Sequence, residues 1–428
     1  MGAASAKPYK YTHWPNSLVD IYKALDHPPV MRVIQTAFGV FHHFELAREL
    51  ERRGHLKTIY STYPWMRLKR EGIDHSKVET FPWFHTAEML ALRVGLNRPW
   101  VRDPLGYTNA LAFDEWTLRR LRRSPAPDAL IALSGSSLKT GREVQARGGL
   151  LICDRGSSHA RYQEQIVAEE YKRWKVDRPI ADSRDIRREE SIYEMADAIT
   201  VPSTFAARSF IESGVAADKI HVIPYGVRLQ IFKRTGKPLA NRFEVLYAGS
   251  VSLRKGFPYL LQAFAKLRNS TKRLRVAGAI HPDMKTLLAQ LPQNQVEFLG
   301  SVSQERVAEL MSTSHLLVLP SIEEGLALVQ GQALACGCPV LSSTNTGAND
   351  LFTNEIEGFI VPIRDVSALV DRMQCLSNDP ALQASMSQAA LRRVSTLGGW
   401  KDYGDRWESL LESLIATRSS ASQPPPTK

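Results

Sequence analysis

The sequence predicts an α/β protein built as two doubly wound parallel-sheet domains that face each other across a cleft. Three observations predict it. At 428 residues the chain exceeds a single ordinary core, so two domains are expected. Short apolar runs of strand length alternate with segments of helical period, the pattern of strand–helix–strand units on a parallel sheet. After Ile223-Pro224-Tyr225-Gly226-Val227 the alternation restarts with greater regularity, which places the domain boundary there.

In chain order, residues 1–29 are rich in Pro, His and Tyr and read as an irregular lead-in. Met31-Arg32-Val33-Ile34-Gln35-Thr36 is the first strand. A turn at Phe38-Gly39 follows, then a helix carrying Phe44, Ala47 and Leu50 at helical spacing, with Gly54 placed as a C′ glycine. A second strand begins at Lys57 and completes one unit with a right-handed crossover. Further strands are expected at 129–133, 150–153 and 198–201, and helices at 113–122, 164–174 and 187–196. In the second domain the strands are expected at 244–248, 274–277, 296–299, 316–319, 340–342 and 359–361. Residues 400–418 read as an amphipathic closing helix with Trp407, Leu410, Leu411 and Leu414 on one face. Residues 419–428, rich in Ser and Pro, read as a disordered tail. The two Rossmann-like domains are thus 30–226 and 227–399.

No apolar run approaches the roughly 18–20 residues that span a bilayer. The first ten residues lack the apolar core of a secretory signal. Four cysteines without CxxC spacing point to reduced thiols and not to a disulfide framework, so a cytoplasmic protein is expected. The net charge of +11 (55 basic against 44 acidic residues) reflects either an anionic partner or a solvated basic surface. Its clusters are Arg48, Arg52 and Arg53; Arg67, Lys69 and Arg70; and Arg119, Arg120, Arg122 and Arg123. Interleaved with them are Trp65, Met66, Trp83, Phe84, Met89, Trp100 and Trp116, a mixture suited to an acceptor groove or to peripheral contact with an anionic membrane face. No nucleic-acid motif accompanies the charge, so nucleic acid is not an expected partner.

Two loops carry chemistry. The strand at 316–319 runs into Pro320-Ser321-Ile322-Glu323-Glu324-Gly325 and then a helical pattern. A helix N-terminus just beyond a strand's carboxyl end presents unpaired N–H groups to an anion. Acid beside that anion site suits the hydroxyls of a neutral group, and a sugar attached to a diphosphate meets both demands. The first strand of the second domain ends in Ala248-Gly249-Ser250 and leads to Arg254-Lys255-Gly256. Two fixed cations there can neutralise a diphosphate leaving group without a metal. No acidic pair of the DxD kind sits at a strand end. His42 and His43, adjacent on a helix, are expected to point apart and so not to share an ion. No metal is expected.

Gly249-Ser250…Arg254-Lys255-Gly256, paired with Ser321…Glu324-Gly325-Leu326…Ala333-Leu334-Ala335-Cys336-Gly337-Cys338-Pro339-Val340, resembles the retaining GT-B glycosyltransferases of family 4. Supporting likeness comes from Ala196-Asp197-Ala198-Ile199…Pro202-Ser203, from Lys219-Ile220-His221-Val222-Ile223-Pro224-Tyr225-Gly226-Val227 and from Arg53-Gly54-His55. It spans most of 31–410 and is densest in the second half. The resemblance implies that Arg254 and Lys255 hold the donor diphosphate and that Glu324 contacts hydroxyls of the donor sugar. It implies that backbone N–H groups near Leu328 and Val329 meet phosphate oxygens, with Gly249, Ser250 and Gly325 lining the same site. Gly39 would face the donor across the cleft, and a residue around Ser301 would approach the nucleobase. No cofactor is implied; the nucleoside-diphosphate sugar, UDP- or GDP-linked, is a substrate.

One departure concerns the second of two family glutamates that flank seven residues. Here the first is Glu324 and the second position is Gln332. An amide oxygen still accepts a hydrogen bond from a ribose hydroxyl but loses the charge-assisted share, on the order of 1 kcal/mol. Tyr225 is a second departure, standing where Asn is common before Gly226. In the first half, Cys153-Asp154-Arg155-Gly156-Ser157-Ser158-His159 follows a strand. Similar transferases place a histidine near the transferred sugar, so His159 either bonds a donor hydroxyl or caps the next helix. The expected function is transfer of a sugar, with retention, to a hydroxyl of a glycan or lipid-linked acceptor in polysaccharide, lipopolysaccharide or glycolipid assembly. The setting would be the cytoplasm, with peripheral contact at the inner face of the membrane as an extension. Two alternatives stand beside it: a non-catalytic protein that binds nucleotide sugars or glycans, and a nucleotide-sugar epimerase.

Overall fold

The computed structural model describes residues 30–83, 85–86, 99–177 and 182–421. The lead-in 1–29, Phe84, Met89, the segment 422–428 and the side chain of Trp100 lie outside the described residues. The first half contains β1 Val33–Ala37, β2 Leu56–Ser61, β3 Val78–Thr80, β4 Ala129–Leu133, β5 Leu150–Asp154, β6 Ala198–Val201 and β7 Ile220–Val222. The second contains β8 Phe243–Ala248, β9 Lys272–Ala277, β10 Val296–Gly300, β11 Leu316–Leu319, β12 Val340–Ser343 and β13 Gly358–Val361. They form a seven-stranded sheet in the order β3-β2-β1-β4-β5-β6-β7 and a six-stranded sheet in the order β10-β9-β8-β11-β12-β13. Every pairing is parallel, as buried, near-continuous apolar strands require.

In each sheet the strand order reverses once, at β1/β4 and at β8/β11. Loops at the carboxyl ends of these pairs flank a crevice, the position where open α/β sheets take ligands. Gly39 follows β1, the Arg254 loop follows β8 and the Glu324 loop follows β11, so topology alone aims them at one place.

Helix α1 (Phe41–Arg52) ends as its sequence demands. Gly54 has φ +79°, its N–H donates to the Glu51 carbonyl at 2.9 Å, and the His55 N–H donates to Leu50 at 2.8 Å. Four further helices matter below: α2 (Ala160–Arg173), α3 (Phe257–Lys266), α4 (Leu328–Ala335) and α5 (Trp400–Ala421). The chain passes between the halves near 226 and returns near 399. The two crossings touch: Val227 bridges Gly399, and a Cβ on Gly226 would stand 2.4 Å from the Gly399 carbonyl carbon.

After its return the chain lies back on the first half. Arg53 of the α1 C-terminus pairs with Asp405 and Glu408 of α5, and His55 Nε2 lies 2.8 Å from Glu408. Trp407 and Leu411 are buried, each such apolar side chain contributing about 1.5–3 kcal/mol. The helix runs through Ser419 and Ser420 to Ala421, so the first residues of the expected tail are helical. Among the described residues no helix is long and apolar enough to cross a membrane.

Candidate functional site

The loop after β8 is shaped by close packing. Tyr247 OH donates to the Ser250 carbonyl at 2.7 Å, and the Leu253 N–H donates to Asp283 at 3.2 Å. Gly256 has φ +63°, and a Cβ there would lie 1.9 Å from the Pro320 carbonyl oxygen. Only glycine lets this loop settle onto the loop after β11. The Ile322 N–H donates to the Arg254 carbonyl at 2.9 Å, which fixes the two loops in register.

Arg254 and Lys255 consequently meet the two glutamates. Arg254 Nη1 lies 3.0 Å from the Glu323 carbonyl and 3.2 Å from its carboxylate. Lys255 Nζ lies 2.6 Å from Glu324 Oε2, and Ser321 Oγ donates to Glu324 Oε1 at 2.6 Å. Burial raises the pKa of each glutamate, yet both stand below the ordinary glutamate value. Arg254 and the donors Gln163, Ser158 and Ser157 lower Glu323, while Lys255 and Arg254 lower Glu324. Both are anions at neutral pH.

Helix α4 opens beside this cluster. Asn345 and Thr346 carbonyls take the N–H groups of Glu324 and Ala327 at 2.9 and 3.1 Å. Leu328 and Val329 are the first two residues of the helix, directly after these bonds. Gln332 is half-buried one turn on from Leu328, on the same helix face.

Across from the glutamates the first-half loop 155–158 sits directly on Gly325. A Cβ on Gly325 would stand 2.3 Å from the Gly156 carbonyl oxygen. Glu323, although it belongs to the second half, accepts from Ser157 Oγ at 2.8 Å, from the Ser158 N–H at 3.2 Å and Oγ at 2.8 Å, and from Gln163 Nε2 at 2.7 Å. Sequence reasoning treated Glu323 as part of an acidic turn and missed these partners, because nothing local distinguishes it from Glu324.

Beneath loop 155–158, His42 and His43 do not point apart. Both Nε2 atoms approach Asp154 Oδ2, at 2.9 and 3.2 Å, while Thr200 Oγ1 donates to Asp154 Oδ1 at 3.0 Å. In the first turn of a helix, Cα–Cβ bonds tilt toward the N-terminus, so adjacent side chains both reach back over the strand ends. The three side chains offer ligand atoms within 4.8 Å of one another, and the expectation that they cannot converge is corrected. The two imidazole rings lie 4.0 Å apart, tilted by 37°. Burial and the neighbouring His42 lower the His43 pKa. Burial opposes ionisation of Asp154, but His42 and His43 hold its pKa far below the ordinary range. The Tyr225 ring lies 4.5 Å from that of His42, tilted by 30°, and packs against Trp400 and Tyr403, joining this cluster to both crossings. That is the physical consequence of a tyrosine at this position, which the sequence left without one.

His159 is placed otherwise than the donor reading has it. Its Nδ1 accepts from the Arg161 N–H at 3.3 Å as the N-cap of α2, and its ring packs between Tyr193 and Phe210. It is a buried cap. Gly39 lies beside the ring of Phe41, which is 82% exposed at the start of α1. Ser301 is exposed just past β10, the edge strand two removed from β8. Gly249 has φ +151°, and its carbonyl oxygen would lie 1.8 Å from a Cβ on Gly278, so these loops approach at glycine-only distance. A cavity of about 470 Å³ lined by Arg234, Lys237, Arg242 and His315 opens at the amino edge of the second sheet, away from these loops.

Two family models match this chain side by side. "Glycosyltransferase Family 4" covers residues 40–231 and "Glycosyl transferases group 1" covers 230–393. A D-inositol 3-phosphate glycosyltransferase of Xylanimonas cellulosilytica is 27% identical over 236 residues, 50% of this chain and 56% of the relative. An MMP alpha-(1->4)-mannosyltransferase of Mycolicibacterium hassiacum is 25% identical over 228 residues, 52% of this chain and 55% of the relative. The chain thus spans little more than half the length of these curated relatives. Sucrose-phosphate synthase from Thermosynechococcus elongatus superposes with a TM-score of 0.67 at 19% identity, covering 90% of this chain and 99% of that one. Anabaena HepE, solved in complex with UDP-glucose, gives 0.64 at 17% identity over 90% of this chain and 100% of that one. At such identities the likeness concerns the fold.

Proposed function

This chain belongs to the GT-B glycosyltransferases of family 4, and from that premise we propose that it moves a sugar from a nucleoside-diphosphate donor to a hydroxyl acceptor with retention of configuration. The observation that carries the reading is the meeting of Arg254 and Lys255 with Glu323 and Glu324 where the loops after β8 and β11 converge. A diphosphate entering there takes Lys255 and Arg254 as its counter-charges. Glu324, relieved of Lys255, accepts hydrogen bonds from sugar hydroxyls. The first-turn N–H groups of Leu328 and Val329 face the phosphate oxygens.

In the transfer step the acceptor hydroxyl attacks the anomeric carbon on the face from which the diphosphate departs. The bond from that carbon to the phosphate oxygen breaks, its electron pair stays on the phosphate, and the acceptor's proton passes to the same oxygen. Arg254 and Lys255 offset the charge that develops, so no metal is needed at this site. Similar proteins support the donor class: HepE is described in complex with UDP-glucose. The acceptor we propose is a glycan or a lipid-linked sugar. Met66 (82% exposed) adjoins Arg67, Lys69 and Arg70 in the chain, and Trp83 is 74% exposed, features that suit contact with an anionic membrane face.

Gln332 motivates a second reading, a protein that binds the nucleotide sugar without transferring it. Calorimetry with UDP and GDP, followed by a radiolabelled transfer assay over a panel of donors, separates the two. Transferred label establishes the first reading; tight binding with no product in any donor–acceptor pair establishes the second.

A further inference from the structure

Glu323 and Glu170 are fully buried carboxylates that reach across between the halves in opposite directions. Glu323 projects from the second half into Ser157, Ser158 and Gln163 of the first. Glu170 projects from the first half and accepts from Tyr259 OH at 2.6 Å and Arg364 Nε at 2.7 Å, with Trp174 Nε1 at 2.8 Å. Gln163 and Glu170 both lie on α2, about two turns apart. One residue on, Tyr171 OH donates to Asp283 Oδ2 at 2.8 Å, and that same oxygen receives the Leu253 N–H of the Arg254 loop at 3.2 Å. Helix α2 therefore belongs to the first half by chain order and is fastened to the second along its length.

A buried carboxylate is tolerated only when its charge and lone pairs are met. Glu323 draws four of its hydrogen bonds from the opposite half and one from Arg254 at 3.2 Å. If the halves separate and the Glu170 and Tyr171 contacts of α2 release with them, Glu323 loses every first-half donor, and its carboxylate is free to turn with Arg254 as its remaining partner. We propose that Glu323 is a positioning residue: Ser157, Ser158 and Gln163 hold its carboxylate, and the carboxylate holds Arg254 in the orientation that faces the donor diphosphate. Closure of the cleft then sets the cation. What Arg254 does once set rests on the transfer reading above; the coupling between closure and Arg254 does not.

The test uses Glu323→Gln and the pair Ser157→Ala with Ser158→Ala, which removes two of the four first-half hydrogen bonds, leaving the Ser158 N–H and Gln163, and does not alter Arg254. Small-angle scattering reads closure, and steady-state transfer reads kcat and the donor KM separately. Both variants are expected to have a larger radius of gyration than the unaltered chain. Each should lose about tenfold or more in kcat with donor KM changed less than about threefold, and the combined variant should lose no more than either alone. A purely structural role would lower the melting temperature and leave kcat in place, which overturns the proposal. So does an unchanged radius of gyration, or losses that multiply in the combined variant. Should the unaltered chain transfer no sugar at all, the scattering comparison still decides: expansion on removing Ser157 and Ser158 hydroxyls supports the coupling, and its absence refutes it.

Discussion

Glu323 and Glu324 are neighbours of the same chemistry, both ionised and both enclosed, yet they serve different halves of the molecule. Glu324 is held by Lys255 and Ser321, all within the second half. Glu323 is held chiefly by hydroxyls and an amide of the first. Successive side chains in a non-helical segment diverge, so one residue of chain advance changes which body supplies the donors. Residue type alone does not assign a buried acid its task; the ownership of its partners does. Glu324 keeps a counter-ion that an incoming diphosphate can take, whereas Glu323 keeps a set that only motion between the halves can remove.

Removing the cations breaks both sides of that contrast at once. Arg254→Ala with Lys255→Ala should lower kcat/KM for transfer on the order of 10³-fold, about 4 kcal/mol, in a radiolabel assay. Lys255 is largely buried against Glu324, so the melting temperature should fall as well, and circular dichroism at the assay temperature checks that the loss of transfer is not loss of fold. Unaltered transfer would remove Arg254 and Lys255 from the mechanism.

A smaller effect sharpens the Glu324 side. Gln332→Glu restores the second acid one turn into α4, and should tighten UDP or GDP binding by about three- to tenfold in calorimetry. Weakened binding would mean that position 332 meets a phosphate and not a ribose.

The smallest effect is in pH. His43 has a folded-state pKa below its ordinary value of 6.5, because burial and His42 disfavour its charge. Above pH 6.5 neither the folded nor the unfolded chain protonates it, and stability is unaffected. Below 6.5 the unfolded chain takes the proton first, so stability falls. Glu323 and Glu324 have the opposite history: their lowered values stabilise the fold fully above about pH 4.5, and that share is lost as the pH falls through their folded-state values. The melting temperature should thus be level above 6.5, decline gently to about 4.5 and then steeply. His43→Gln should flatten the gentle part; an unchanged slope in that variant would assign it to other histidines.

Much of the second half was legible in its sequence, because its central strands, such as Leu316–Leu319, are short apolar buried runs and the outer ones keep enough apolar residues between their charges to read as strands. The Arg254, Lys255 and Glu324 convergence was legible for the same reason: each follows a strand at the point where the sheet order reverses. In the first half, Val78–Thr80 and Ile220–Val222 were missed. Strands of three residues at sheet edges carry too little periodicity to stand out. His159 had two local explanations, and only the positions of Tyr193 and Phe210 decide for the cap. The His42, His43 and Asp154 cluster joins residues 112 apart in the chain, and a helical wheel, which ignores the backward tilt of first-turn side chains, separates what the fold unites.

The paired crossings at Gly226 and Gly399 have a mechanical meaning. Two backbone connections lying in contact behave as a short flexure, stiff against twisting and sliding but compliant to bending about a line through both. A flexure of this kind favours bending over twisting as the way the two bodies move relative to each other. Small changes at that flexure, such as a side chain on either glycine, should alter the range of swing without touching a residue that meets the donor.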